Sequence, residues 1–138
     1  MSGTKQSDIE ERAFACEEDG NGACSPVKTV VILASDCLGK GNDELGRGIA
    51  TNFVKTLKEM GDGLWRLVLL NGGVKLAVED SEVLPDLQKL AEAGLGILVC
   101  GRCLETFNLS EKRRVGEITN MLDIVTAMQV ADKVISLT

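Results

Sequence analysis

The segment Leu95-Gly96-Ile97-Leu98-Val99-Cys100-Gly101-Arg102-Cys103 runs from an uninterrupted apolar stretch straight into a turn that carries two cysteines. Continuous apolar runs of this length are typical of strands buried on both faces of a parallel sheet. Cys100 is therefore predicted at the carboxyl end of a strand. A thiol there, with backbone N–H groups ahead of it and Arg102 beside it, has surroundings that favour a reactive thiolate. The segment predicts sulfur chemistry at a strand end.

Before this segment, the sequence predicts two strands, each followed by a helix. Residues 30–34 form a β-branched apolar run, and a helix is expected after it from apolar residues at helical spacing: Leu45, Ile49, Phe53 and Leu57. Residues 64–70 predict a second strand, which the turn at 71–73 ends. Ser81 can cap the next helix, whose apolar face would carry Val83, Leu84, Leu87, Leu90 and Ala91.

The remaining chain repeats the pattern more weakly. Gly94 ends the second helix, residues 96–100 form the third strand, and a short helix is expected over 103–107. A last helix carries Met121, Leu122, Val125 and Met128, and residues 132–137 form a final strand. Strands of this kind separated by helices predict a three-layer α/β/α sandwich around a mainly parallel sheet of about five strands.

The chain of 138 residues is expected to hold one domain, residues 27–138. Residues 1–26 are polar, lack sustained periodicity and predict a flexible tail or the remnant of a linker. Cys16 and Cys24 lie in this segment, where the favoured interpretation is that they are incidental and the alternative is a mobile thiol arm.

The composition excludes several classes of function. The sequence contains no histidine, which rules out Ser-His-Asp and Cys-His catalysis and any imidazole metal ligand. No metal site is expected, because a zinc site at the thiol pair would need Cys37 together with Cys16 or Cys24. A net charge of −6 disfavours nucleic acid, and one tryptophan without tyrosine disfavours a flavin, so no cofactor is expected. A flavodoxin-like protein that binds a nucleotide or flavin ranks third among the functions considered.

Sequence features also predict the cellular compartment of the protein. No apolar run approaches the roughly 20 residues that span a bilayer, and no basic and apolar leader opens the chain. Five cysteines are an odd number, which suits free thiols in a reducing compartment. We therefore expect a soluble cytoplasmic protein without a membrane partner.

Three loops are predicted to meet at the carboxyl edge of the sheet, where open parallel sheets bind their ligands. They supply the candidate site residues: Ser35, Asp36, Gly39 and Gly41 after the first strand, Asn71, Gly72 and Gly73 after the second, and Cys100, Gly101, Arg102 and Cys103 after the third. The glycines of the first loop serve a bound anion or the turn alone, two interpretations that are evenly weighted, whereas Asn71-Gly72-Gly73 most often only provides turn residues with positive φ. For the cysteines, the alternative to reactivity is simple packing, since free cysteine is often buried.

The motifs at 35–46, 71–76, 100–103 and 115–121 together resemble the DsrE-like domain of YedF proteins, over about 27–138. YedF proteins are sulfurtransferase-like and linked to selenium metabolism, and they usually carry an additional N-terminal TusA/SirA-type domain. Residues 1–26 are expected to be the remnant of a linker to such a domain, or the tail of a stand-alone version. The resemblance implies a flavodoxin-like α/β sandwich, common assembly into homo-oligomers and a sulfur-carrying cysteine at the position of Cys100. Cys103 matches the second cysteine of the motif. Cys37 and Arg102 depart from the pattern, where an apolar residue and a smaller residue are expected.

Two functional hypotheses follow. In the first, Cys100 accepts a sulfur or selenium atom as a persulfide-type species and passes it on, Arg102 stabilises the anion and Cys103 resolves the persulfide. Its partners would be donor and acceptor proteins, such as a desulfurase and a TusA/SirA-like carrier. In the second, a disulfide between Cys100 and Cys103 switches a non-catalytic binding or regulatory module.

Overall fold

The computed structural model describes residues 16–18 and 24–138. Two short antiparallel strands, β1 (Cys16–Glu18) and β2 (Cys24–Pro26), precede the main domain. The rest of the predicted tail, and the side chains of Cys16 and Cys24, lie outside what is described. The boundary between a tail and a domain near residue 27 stays a prediction.

The main sheet has five strands, and every pair of neighbours is parallel, which confirms the predicted architecture. Its spatial order is β6-β5-β4-β3-β7. The strands are β3 (Thr29–Leu33), β4 (Leu64–Leu69), β5 (Gly96–Cys100), β6 (Glu117–Thr119) and β7 (Lys133–Leu137).

Four α-helices and three 3-10 segments connect these strands. The helices are α1 (Asp43–Thr56), α2 (Leu84–Glu92), α3 (Gly101–Thr106) and α4 (Met121–Val130). The 3-10 segments are Leu57–Gly63, Asn71–Ala77 and Ser110–Lys112. Within the described residues, no helix is long and apolar enough to cross a membrane.

Alternate side chains of the strands point to two separate cores, because successive strand residues face opposite sides of a sheet. Leu33 and Val99 lie in the larger core, which α1, α2 and α3 cover. Val30 and Val68 lie in the smaller core on the opposite face, which α4 covers with Ile124. The helices on both faces confirm the predicted three-layer sandwich.

The predicted apolar face of the first helix is correct only in its second half, where Phe53 and Leu57 pack in the larger core. Leu45 and Ile49 are 62% and 44% exposed, whereas Gly46, Ala50 and Val54 are buried. A Cβ atom at Gly46 would lie 2.6 Å from Sγ of Cys37 and 2.9 Å from the carbonyl oxygen of Leu38. Small residues therefore form the inner face because the helix lies so close to the preceding loop.

Helix α4 shows a similar difference. Met121, Leu122 and Val125 are exposed, whereas Ile124 and Ala127 are buried. The helix is apolar around most of its circumference, so periodicity does not single out its inner face.

Element boundaries differ by a few residues from those predicted. Helix α3 begins at Gly101, two residues before the predicted start, because Cys100 caps it. Helix α2 begins at Leu84 and has no side-chain cap, although the hydroxyl of Ser81 accepts a hydrogen bond from the backbone N–H of Val83 over 3.3 Å. Strand β6 was not predicted.

Candidate functional site

The loops that follow β3, β4 and β5 lie side by side, because parallel neighbouring strands end at the same edge of the sheet. The loop after β4 packs closely on the end of β3. A Cβ atom at Gly73 would overlap the carbonyl oxygen of Leu33, and one at Gly72 would lie 3.4 Å from Oδ1 of Asp36. Gly73 is therefore glycine for a packing reason, and Gly72 places this loop against Asp36.

Cys100 ends β5 and caps α3. Its Sγ accepts a hydrogen bond from the backbone N–H of Cys103 over 3.3 Å. The thiol of Cys103 donates to the same sulfur, with the two Sγ atoms 2.6 Å apart. Both side chains are half-buried and both thiols are free. Cys100 is thus the acceptor of two hydrogen bonds, and Cys103 supplies both.

Cys103 also accepts a hydrogen bond from the neighbouring loop. The backbone N–H of Asn71 lies 3.1 Å from its Sγ. Burial raises the pKa of the Cys103 thiol, the hydrogen bond that it donates to Cys100 raises it further, and the Asn71 N–H acts in the opposite direction. Cys103 therefore keeps its proton to a higher pH than an ordinary thiol.

The two residues between the cysteines have different surroundings. Gly101 packs against β6, since a Cβ atom there would lie 2.8 Å from Cγ2 of Ile118. Arg102 is exposed. Its positive charge lowers the pKa of Cys103, but this is the smallest of the effects on that pKa. Its predicted role in stabilising an anion stays a prediction.

Polar groups of the first loop are largely used by the loop itself. The hydroxyl of Ser35 accepts a hydrogen bond from the backbone N–H of Cys37 over 2.9 Å and donates to its carbonyl oxygen over 2.8 Å. The N–H of Gly39 donates to the carbonyl oxygen of Thr138 over 2.9 Å. Gly41 is exposed and has a positive φ of 151°. Binding of an anion by this loop stays a prediction, and the Gly39 amide is already paired.

Thr119 and Asn120 belong to the motif at 115–121 but were not among the predicted site residues. Thr119 on β6 is in register with Cys100 and is only 7% exposed, and its hydroxyl lies 3.5 Å from a carboxylate oxygen of Asp123. The side chain of Asn120 accepts from the backbone N–H of Asp123 and caps α4. The sequence signal for this helix cap is an Asn three residues before an Asp at the start of an apolar run.

A protein-family comparison matches residues 40–137 to the DsrE/DsrF-like family, which is more than half of the chain. The chain belongs to this family. The matched part of the DsrE/DsrF-like domain contains both loops that form the thiol site, those after β4 and β5. The narrower resemblance to YedF proteins is not established by this match.

Solved structures share the fold of this DsrE/DsrF-like protein. The YchN protein of E. coli superposes with a TM-score of 0.61 and 18% identity over 80% of this chain and 99% of its own. MTH1491, a protein of unknown function from Methanobacterium thermoautotrophicum, gives a TM-score of 0.61 at 17% identity, over 80% of this chain and 98% of its own. At these identities, the likeness concerns the fold. No curated protein matches the sequence.

Proposed function

We propose that this DsrE/DsrF-like protein is a sulfur carrier in which Cys100 accepts a sulfane sulfur atom. The observation that carries the proposal is the pair of hydrogen bonds from the backbone N–H and the thiol of Cys103 to Sγ of Cys100. Hydrogen bonds that a sulfur accepts stabilise its negative charge, and the thiolate is the nucleophilic form of cysteine.

Loading is a thiol exchange. The Cys100 thiolate attacks the outer sulfur of a persulfide on a donor protein, a new S–S bond forms on Cys100, and the donor cysteine leaves as a thiolate. A nucleophilic thiolate of an acceptor protein then takes the outer sulfur and restores the Cys100 thiolate. No net oxidation or reduction takes place in this cycle.

Cys103 supplies a second way to unload the carrier. Its thiolate attacks Sγ of the persulfidated Cys100, hydrosulfide leaves with both electrons of the broken S–S bond, and a Cys100–Cys103 disulfide remains. A dithiol reductant returns both thiols. The 2.6 Å between the sulfur atoms supports this step, because almost no backbone movement is needed.

The proposal also includes the cargo and the partner proteins. The resemblance to YedF proteins favours selenium as an alternative cargo, transferred through the same attack by Cys100. Donor and acceptor would be a cysteine desulfurase and a TusA/SirA-like carrier in the cytoplasm.

Intact mass of the reduced protein after incubation with a persulfidated cysteine desulfurase tests loading. The wild type should gain the mass of one sulfur atom, and Cys100→Ser should gain none. Cys37→Ser is the matched control, since Cys37 is a half-buried thiol at the same edge whose Sγ lies 3.4 Å from the carbonyl oxygen of Asp43. Loading of Cys100→Ser to the wild-type level would refute the proposal.

A redox-responsive module is the second candidate, and the same short distance between the sulfur atoms favours it. Here a two-electron oxidant removes two hydrogens and forms the Cys100–Cys103 disulfide, without any sulfur being accepted. Oxidation by a disulfide such as oxidised glutathione, combined with failure to gain sulfur from the desulfurase, would favour this module over the carrier.

A further inference from the structure

A cavity of about 460 Å³ opens at the edge of the sheet opposite the cysteines. It lies between the C-terminal halves of α1 and α2 and over the beginning of β4. Its volume falls within the range of roughly 300–1,000 Å³ that small-molecule sites occupy. The residues of the thiol site do not line it, so its occupant would be independent of sulfur transfer.

The inner part of the cavity is apolar. Leucine and valine side chains from both helices and from the sheet form its floor: Val54, Leu57, Leu64, Leu90 and Leu95. Trp65, the single tryptophan of the chain, also lines it. Such a floor favours the apolar body of a ligand over a fully hydrated polar molecule.

Three of the five charged residues that line the cavity are lysines, and we refer to these five residues as its rim. Lys55 of α1 and Asp86 of α2 form a salt bridge of 3.1 Å across the cavity. Lys58 lies three residues after Lys55, and Lys89 lies three residues after Asp86. Both lysines line the cavity, and neither has a salt-bridge partner within 4 Å among the described residues. Since α1 and α2 both connect parallel strands, they run in the same direction and bring these two lysines to a similar level.

The rim therefore has an excess of positive charge. Lys55 and Asp86 neutralise each other in their salt bridge. The remaining charged residues of the lining are one carboxylate, Asp62, and two lysines, Lys58 and Lys89. Two like charges at one level repel, and an anion between them removes that repulsion.

We propose that this cavity binds a small apolar molecule that carries one carboxylate or sulfonate group. The apolar body lies on the leucine and valine floor, and the anionic group lies between Lys58 and Lys89. The site is separate from the proposed function, so a failure of either leaves the other standing.

Anilinonaphthalene sulfonate is a suitable probe because it combines an aromatic body with one sulfonate, and N-phenylnaphthylamine provides the same body without the charge. The ring of Trp65 packs in the smaller core on the other face of the sheet, so energy transfer from Trp65 to the probe reports binding. We expect saturable binding of the sulfonate at one site per chain. The double variant Lys58→Gln with Lys89→Gln should weaken binding of the sulfonate probe by about three- to tenfold and leave the affinity for the neutral probe unchanged.

Two further variants complete the test. Lys133→Gln, at an exposed position of β7 that does not line the cavity, removes one lysine and should leave the binding of both probes unchanged. Ala93→Phe places a ring in the cavity from an exposed position and should weaken both probes by about tenfold or more. Binding that does not saturate, or that neither Ala93→Phe nor the double lysine variant weakens in proteins with unchanged thermal unfolding, would overturn the proposal.

Discussion

The backbone N–H of Asn71 donates a hydrogen bond to Sγ of Cys103 over 3.1 Å, although the two residues are 32 positions apart in the chain. Asn71 has a φ of 49°, in the left-handed region, which non-glycine residues rarely adopt and asparagine tolerates better than most. This backbone conformation joins the loop after β4 to the thiol pair. The amide opposes the rise that burial causes in the pKa of Cys103.

Replacing Asn71 with valine should slow unloading through Cys103. A β-branched residue is strained at this φ, so the loop shifts and the amide moves away from the sulfur. The pKa of Cys103 then rises further, and hydrosulfide release from the loaded protein should fall by about tenfold at neutral pH. Asn108→Val is the matched control, because Asn108 has a φ of 59° and is exposed. Equal slowing in both variants would show that strain alone, and not the amide, is responsible.

Unloading through Cys103 should depend on pH in a defined direction. Burial raises the pKa of Cys103, so its thiolate fraction is still increasing at a pH at which the thiolate fraction of an ordinary thiol, of pKa about 8.5, has begun to level off. Hydrosulfide release from the loaded wild type should rise accordingly, whereas release from Cys103→Ser should stay slow at every pH. A plateau below about pH 8.5 would contradict the assignment of Cys103 as the attacking thiol.

Two glycines of α1 should respond in opposite ways to alanine. Gly46→Ala places a Cβ atom 2.9 Å from the carbonyl oxygen of Leu38 and should lower the free energy of unfolding by about 1–3 kcal/mol. Gly48→Ala meets nothing within 4 Å and should raise it by up to about 1 kcal/mol, since alanine favours helix. Urea unfolding measures both. A stable Gly46→Ala protein would mean that α1 does not lie this close to the loop after β3.

Self-association, which the resemblance to YedF proteins implies, should involve the outer face of α4. Leu122 is 73% exposed there, beside further exposed apolar residues of the same helix: Met121, Val125 and Val130. Leu122→Glu should shift the protein toward the monomer in light scattering, because a carboxylate is costly to bury. Gln88→Glu adds the same charge at an exposed position of α2 and should have no effect. An unchanged oligomer in Leu122→Glu would exclude this face.

The sequence predicts the central strands well because their signals are local. Strand β5 agrees with the prediction to the residue, since glycines bound its apolar run on both sides. Strand β3 begins and ends one residue before its predicted limits. Strand β6 could not be predicted, because its three residues contain a single apolar side chain and only pairing with β5 makes them a strand.

Contacts between distant segments account for what the sequence does not reveal. The inner face of α1 is lined by Gly46 and Ala50, whose small size matters only once the loop after β3 is in place. The placement of both cysteines at one strand end could be predicted from the motif. The donor from Asn71 could not, because a main-chain amide has no side-chain signature and its direction depends on the loop.

The identity of the cysteine that receives the transferred sulfur atom is the most direct test of the proposed carrier function. We would load the Cys103→Ser protein from a persulfidated desulfurase, trap the product by alkylation and map the modified peptides by mass spectrometry. We expect the additional sulfur on the peptide that carries Cys100 and on no other. Additional sulfur on Cys37, Cys16 or Cys24 with none on Cys100, or no additional sulfur at all, would contradict it.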